Sequence, residues 1–314
     1  MKQILINMSM LLIMVILVVL MMLISVAFLT LMERKVLSYI QMRKGPNKVG
    51  FKGVLQPFSD AIKLLSKEIY FMNKVNNLYY YYTPMFMLIL ISLMWLIYPL
   101  KGGALSMEFS VIYLMCCFSL SGYGLLMSGW SSNSTYSMMG SIRSLSQAIS
   151  YEVNLSLIML IVVTMFGSYN LMIFKNFQGM GWVLMSHLMS VSFLISLMAE
   201  LNRTPFDFSE GESELVSGFN VEYMSGGFVL IFLSEYASIL FLSFLYISFF
   251  LGSDWINLMF YLMMMMLTFI IIWLRGTTPR FRYDLLMYLC WMVILPFVLN
   301  FFLLMFIYKL LIYS

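Results

Sequence analysis

The first thirty residues constrain the fold more than any other part of the sequence. After Lys2, no charged side chain occurs between Gln3 and Met32. A helix needs about 20 apolar residues to cross the hydrocarbon layer of a bilayer, so this stretch is long enough to span it. It is too long for the apolar core of a signal peptide, and it lacks a clear small-residue cleavage site. We therefore interpret it as the first transmembrane helix of an integral membrane protein.

The rest of the chain repeats this pattern. Hydrophobic residues make up 62% of the sequence and charged residues only 10%, whereas soluble domains carry about a quarter charged residues. This composition excludes an ordinary soluble fold. Eight apolar segments are long enough to cross a membrane, at 4–32, 77–99, 108–130, 141–168, 178–199, 225–251, 256–274 and 285–308. We expect an all-α, polytopic bundle of about eight transmembrane helices that forms a single integral membrane domain over residues 1–314.

The distribution of basic residues predicts an orientation for this bundle. Eight crossings place both termini on one face and the loops 33–76, 131–140, 200–224 and 275–284 on the other. Of the 18 lysines and arginines, 14 fall on the second face. Loops that remain on the matrix or cytoplasmic side carry an excess of positive charge. We therefore expect the four loops to face that side.

Residues 33–76, called the basic loop here, carry nine basic residues and three acidic ones. Within this loop, one helical face from Val54 onward is apolar and the other is polar. The apolar side chains are Val54, Leu55, Phe58, Ala61, Ile62 and Leu65. Such a helix is too short and too charged to cross, so it should lie at the membrane surface, with Pro57 in its first turn. It is either a surface anchor or a lid on a lateral entrance for a lipid-soluble substrate.

Residues 200–224, the acidic loop, have the opposite balance of charge. Six acidic residues face a single base, Arg203, so the acidic loop and the basic loop should meet on their shared face. Clustered carboxylates that are partly desolvated cannot all stay ionised, so they can exchange protons near neutral pH. A fully solvated loop is the alternative. Pro205, Gly211 and Gly218 favour a specific, kinked backbone.

Two acidic residues lie inside predicted spans, Glu152 in the fourth and Glu235 in the sixth. An ionisable side chain at membrane depth is costly and indicates a functional site. Each lies roughly 15 Å from the basic face at 1.5 Å per residue. Together with Glu200 they predict a series of carboxylates that relays protons. The alternative is that each carboxylate is simply satisfied by a neighbouring Tyr, Ser or Arg.

Residues suited to a metal centre are sparse. Cys116, Cys117 and Cys290 lie in apolar runs without the C-x-x-C spacing of zinc or iron–sulfur ligands, and His187 is the only histidine. We interpret the cysteines as small apolar side chains and predict no metal site in this chain.

Several segments resemble a known family. These are Glu33 to Leu37, Gln41 to Gly50, Leu55 to Leu64, Ser150 to Val153, Glu200 to Tyr223 and Arg280 to Asp284. In this order, and between spans of this length, they are similar to subunit 1 of respiratory complex I, the NADH:ubiquinone oxidoreductase. Ser59 and Leu201 depart from residues common in that family, outside the charged set.

The resemblance implies a subunit that is not active alone. Family members anchor the peripheral arm of the complex and form much of the tunnel for ubiquinone, their substrate. NADH, FMN and iron–sulfur clusters are expected on partner subunits. The implied partners are the peripheral quinone-module subunits, neighbouring membrane-arm subunits, ubiquinone and lipids, and not nucleic acid. The implied location is the mitochondrial inner membrane, with the basic and acidic loops facing the matrix.

The resemblance also implies roles for individual residues, none of them catalytic. The quinone entrance and tunnel would be bordered by Arg34, Arg43 and Asp60, with Phe232 as a lining residue. The proton-coupling residues would be Arg203, Asp207, Glu210, Glu212 and Glu214 in the acidic loop, followed by Glu200, Glu152 and Glu235. Two other functions fit the residues alone: an ion/proton antiporter without redox chemistry, and a structural anchor whose loops only dock the peripheral arm.

Overall fold

The computed structural model describes residues 2–68, 74–98, 107–177, 180–209, 211, 218–220, 222–252, 255 and 257–313. Within these ranges all regular structure is helical. The α-helices are α1 (Lys2–Ile40), α2 (Gln56–Leu65), α3 (Asn77–Trp95), α4 (Ser110–Ser131), α5 (Thr135–Phe166), α6 (Leu171–Phe177), α7 (Met180–Glu200), α8 (Ser225–Tyr246), α9 (Leu258–Thr277), α10 (Tyr283–Tyr288) and α11 (Leu295–Tyr313). A π-helical segment (Ile247–Leu251) extends α8, and another (Leu289–Ile294) joins α10 to α11.

The prediction of an all-α polytopic membrane protein is confirmed. In the described part of the chain, seven helical spans are long and apolar enough to cross a membrane. The remaining predicted span, 178–199, coincides with α7, whose described apolar portion is Ser186–Glu200. The order of helices along the chain therefore follows the eight predicted segments.

Two helix boundaries differ from the prediction. Helix α1 continues to Ile40, so Glu33 and Arg34 lie on a helix and not in a loop. Helix α5 begins at Thr135 and not at residue 141. A span predicted from hydropathy ends at the first polar or charged residue. The helix itself continues for as long as its backbone hydrogen bonds do, so its ends differ from those of the apolar segment. The helix ends therefore hold polar side chains in fixed positions close to the apolar core.

Helix α8 forms the centre of the bundle. In its most apolar window 67% of the residues are buried, against 17% for α1. Helices α1, α2 and α3 pack against α8, while α4, α7 and α11 pack against α5. The apolar side chains that remain exposed on α1 and α11 are those expected to contact lipid, because hydrocarbon and not water surrounds a spanning helix.

Helices α4 and α5 approach each other closely at Gly129. A Cβ atom added there would lie 2.3 Å from Cβ of Ser141 on α5 and 2.8 Å from the Ser137 carbonyl oxygen. On the same helix, a Cβ added at Gly122 meets no atom within 4 Å. Small residues at helix contacts allow backbones to approach in membranes, so Gly129 is a packing position and Gly122 is not.

The predicted amphipathic helix is confirmed as α2, with Pro57 in its first turn. Its Phe58 ring packs edge-on against Phe28 of α1, with ring centroids 6.1 Å apart. Ile62 and Leu65 remain 67% and 63% exposed, so the apolar face is not covered by the chain itself. This face is free for lipid, although its position at the membrane surface stays a prediction.

We predict that Gly129→Ala destabilises the protein by about 1–3 kcal/mol, the usual cost of overpacking a close contact. The assembled protein in detergent should unfold at a lower temperature than the wild type. Gly122→Ala on the same helix should leave the unfolding temperature unchanged. Equal unfolding temperatures for the two variants would contradict the close α4–α5 contact.

Candidate functional site

Arg203, just beyond the end of α7, lies at the centre of a buried group of charges. The residue is only 9% exposed. Its Nη2 atom lies 3.5 Å from Oε2 of Glu235, and its Nη1 atom 4.0 Å from Oε1 of Glu33. Its guanidinium carbon lies 4.7 Å from the ring centre of Tyr236, in a cation–π contact. A buried cation requires such partners, because removing one of a buried ion pair leaves an uncompensated charge.

Glu33 extends this group to two further helices. The residue is 5% exposed, and its Oε1 atom also accepts a hydrogen bond from Nη1 of Arg275 at the end of α9. Helices α1, α8 and α9 and the start of the acidic loop therefore share one ion network. Sequence reasoning assigned no role to Glu33 or Arg275. The available signal was their position, since each lies within the last turns of an apolar helix.

A second ion pair fixes the next part of the acidic loop. Nη2 of Arg280 lies 3.1 Å from Oδ2 of Asp207, and Asp207 is 6% exposed. The main-chain N–H of Phe281 donates to the Pro205 carbonyl at 3.0 Å. The rings of Phe206 and Phe281 stack with centroids 5.5 Å apart. The segment between α9 and α10 thus holds the acidic loop against the bundle.

Gln147 of α5 joins this loop to the end of α7. Its Nε2 atom donates to the carbonyl oxygens of Ala199 at 2.8 Å and Phe206 at 2.9 Å, and the residue is fully buried. The acidic loop is therefore tied to the same helix that carries Glu152. An uncharged glutamine in an apolar span gave no strong signal, and sequence reasoning missed it.

Glu200, the last residue of α7, forms no ion pair with a described arginine. Its Oε1 atom accepts a hydrogen bond from Ser121 Oγ at 3.2 Å, and its buried Oε2 atom has no hydrogen-bond partner among the described residues. The carboxyl group of Glu152 on α5 interacts with it electrostatically. Glu152 and Glu200 thus lie within electrostatic range of each other, and their part in a carboxylate series stays a prediction.

A cavity of about 90 Å³ connects these groups. Apolar side chains such as Met87 and Phe118 form part of its wall. Its charged lining comes from Glu200, Arg203, Asp207, Glu235 and Arg275. Four of the predicted proton-coupling residues thus border one space, while Glu152 is not among the lining residues. Glu210, Glu212 and Glu214 lie outside the described residues.

The residues predicted for the quinone tunnel form a different region. Arg34 of α1 pairs with Asp60 of α2, and Gln56 Nε2 donates to Oδ1 of Asp60 at 2.9 Å. Arg43 is exposed beyond α1. Phe232 on α8 is half-buried, with its ring centroid 4.2 Å from that of Phe228, and it does not line the cavity of about 90 Å³. The structure thus joins Arg34 to Asp60 and leaves Arg43 and Phe232 outside that pair.

The arrangement allows the pairing of Arg203 to depend on protonation. Arg203 faces two carboxylates on different helices, and protonating one of them would strengthen its pairing with the other. Glu200, whose Oε2 atom has no hydrogen-bond partner among the described residues, is sensitive to the charge of Glu152. The site is therefore suited to transmitting a change in protonation through the bundle.

Comparison with known proteins identifies the family to which most of the chain belongs. The NADH dehydrogenase family model matches residues 13–306. The NADH-ubiquinone oxidoreductase chain 1 of Locusta migratoria is 55% identical over 282 residues, which cover 89% of each chain. That of Anopheles gambiae is 53% identical over 280 residues, 89% of each chain, and that of Apis mellifera ligustica is 46% identical over 297 residues, 94% of each chain. The chain therefore belongs to the family of chain 1 subunits of NADH-ubiquinone oxidoreductase.

Proposed function

We propose that this chain couples ubiquinone reduction to proton translocation within complex I of the mitochondrial inner membrane. The observation that carries the proposal is the sharing of buried Arg203 between Glu235 and Glu33, beside a cavity that Glu200 and Asp207 also line. A static anchor would not need charges at that depth, since buried ion pairs contribute little to stability compared with apolar packing. The relatives are subunits of a redox enzyme, which favours this proposal over an antiporter without redox chemistry.

The coupling would begin in the acidic loop. Reduction of ubiquinone changes charge or protonation near this loop, in which the resemblance includes Glu210, Glu212 and Glu214. That change alters the relative strength of the two ion pairs that Arg203 forms, with Glu235 and with Glu33. Glu200 and Glu152 then pass the change laterally, towards neighbouring membrane-arm subunits. NADH, FMN and the iron–sulfur clusters act on the peripheral subunits that this chain anchors.

The quinone entrance would lie where α2 meets α1. The ion pair between Arg34 and Asp60 holds α2 against α1, and the exposed apolar side chains of α2 offer a path for a lipid-soluble substrate. Arg43 would border this entrance and Phe232 the tunnel beyond it. In this proposal α2 acts as a lid and not only as a surface anchor.

Replacing Glu235 by Gln should abolish most quinone-coupled proton pumping, because Arg203 then loses its partner on α8. Glu152→Gln should have the same effect, since it interrupts the series at α5. NADH oxidation with an artificial acceptor should stay at the wild-type rate. Proton uptake and acceptor reduction can be measured on the same membrane vesicles.

A matched control for these variants is Glu108→Gln. Glu108 is exposed before α4, so this change removes one carboxylate without touching the buried network. Unchanged pumping in assembled Glu235→Gln and Glu152→Gln complexes would refute the relay. Quinone-independent ion exchange in the wild-type protein would favour an antiporter instead.

Asp60→Asn should weaken the attachment of α2 and raise the KM for ubiquinone severalfold, while acceptor reduction stays constant. Arg34→Asp should do the same. The Arg34→Asp/Asp60→Arg double variant restores an ion pair of reversed polarity and should recover part of the affinity. The recovery is limited because a pair this exposed is worth at most about 1 kcal/mol. Identical KM values in the wild type and the three variants would contradict an entrance at this position.

The proposed orientation can be tested by cysteine labelling. A Lys48→Cys variant should react with a membrane-impermeant maleimide only when the matrix face is accessible, as in inverted inner-membrane vesicles. Glu108→Cys should react only in mitoplasts. The wild type supplies the background from its three native cysteines. The reverse pattern would invert the topology.

A further inference from the structure

A second cavity lies between the beginnings of α3 and α8, apart from the buried ion network. Its volume is about 210 Å³. The lining residues described by the structure are uncharged: Tyr80, Tyr81, Pro84 and Met85 from α3, and Met224, Ser225, Gly226, Gly227 and Leu230 from α8 and the residue before it. Tyr81, Met85 and Met224 are exposed, so the cavity opens as a groove on the outer surface of the bundle.

One end of this groove is the N-terminus of α8. The first amides of a helix have no acceptor within the helix, and no side chain caps this one. Ser225 is 8% exposed and lines the groove, and its hydroxyl makes no hydrogen bond to any described residue. A Cβ added at Gly226 would meet nothing within 4 Å. Ser225 and the uncapped start of α8 thus border a space that no described residue fills, and such a helix end attracts anions.

The other end of the groove is apolar. Tyr81 and Met85 lie one turn apart on the exposed face of α3, and Ile89 continues that face at 50% exposure. Four consecutive tyrosines, Tyr79 to Tyr82, begin the helix. Tyrosine is enriched at the level of lipid headgroups, where its ring is apolar and its hydroxyl is wet. The groove therefore crosses from headgroup level to the hydrocarbon region.

The inner wall of the groove is fixed. The rings of Tyr80 and Tyr223 stack with centroids 4.5 Å apart, and the Tyr80 hydroxyl donates to the Glu222 carbonyl at 2.6 Å. The Tyr223 hydroxyl lies 2.8 Å from Thr83 Oγ1. Burial raises the pKa of Tyr223, which keeps this hydroxyl neutral. The wall is thus shaped before anything binds to it.

We propose that this groove binds a phospholipid of the leaflet on the loop side. The phosphate accepts hydrogen bonds from Ser225 and from the first amides of α8, and an acyl chain follows Met85 and Leu230 into the membrane. The helix dipole adds a favourable interaction with the negative phosphate. The exposed side chains of Tyr81 and Met85 contact this acyl chain in the apolar half of the groove.

The charge around the groove favours one headgroup class. No described lysine or arginine lines it, so a free inorganic phosphate would gain only the hydrogen bonds and not a compensating charge. Glu222 lies beside the groove, since its carbonyl oxygen accepts the hydrogen bond from Tyr80 at 2.6 Å. A carboxylate there disfavours a second negative charge and favours a cationic group beyond the phosphate. Phosphatidylethanolamine fits this pattern better than phosphatidylglycerol.

The test uses the whole complex, reconstituted in nanodiscs that contain phosphatidylethanolamine with a photoactivatable acyl chain. After irradiation, mass spectrometry of the digested protein should place the label on the peptides that contain Met85 and Leu230. Gly226→Leu fills the groove with an apolar side chain and should lower this labelling about tenfold, which corresponds to about 1.4 kcal/mol of binding free energy. Gly122→Leu, whose added atoms also enter open space, should label like the wild type.

Further measurements distinguish phosphatidylethanolamine from other possible occupants of the groove. Ser225→Ala keeps the groove open and removes only the hydroxyl, so labelling should fall about threefold, as for a single hydrogen bond. A photoactivatable phosphatidylglycerol should label less, and excess inorganic phosphate should not compete. The proposal is overturned if both glycine variants label equally, if free phosphate displaces the lipid, or if the label falls on a neighbouring subunit that covers the groove.

Discussion

The need to compensate a buried guanidinium determines how the helices of this protein meet. Arg203 lies almost completely inside the bundle, so carboxylates must approach it from the surrounding elements. Glu235 comes from the central helix α8, and Glu33 from α1. Arg275 joins from α9 because Glu33 can accept from two arginines. The apolar core sets how closely these helices pack, but the ion network fixes which helix ends lie side by side.

The same network is the part of the described structure on which the proposed coupling rests. Its charges are nearly balanced, and each arginine has more than one nearby carboxylate or lies beside the acidic loop. A small change at one member therefore changes the pairing of the others. Gln147 and the segment around Phe281 hold the loop in place beside these charges.

Hydropathy predicted most of the fold, because each span is a local property of about 20 neighbouring residues. The amphipathic pattern of α2 and the placement of Glu152 and Glu235 within long apolar helices were likewise predictable from spacing. The residues that contact these side chains could not be predicted from the sequence. Glu33 and Arg275 meet across 242 residues, which no local pattern records. Gln147 was missed because an uncharged amide in a span does not stand out, and the extension of α1 because charge, and not hydrogen bonding, marked its predicted end.

The ion pair between Glu33 and Arg275 also has a consequence for biosynthesis. Helix α1 leaves the ribosome long before α9, so during insertion the Glu33 carboxylate has neither Arg203 nor Arg275 beside it. Until then a charge at this position lacks the partners that a buried carboxylate requires. The contacts that bury Glu33 are therefore complete only after α9 has been synthesised, so the packing of the first helix depends on a residue near the end of the chain.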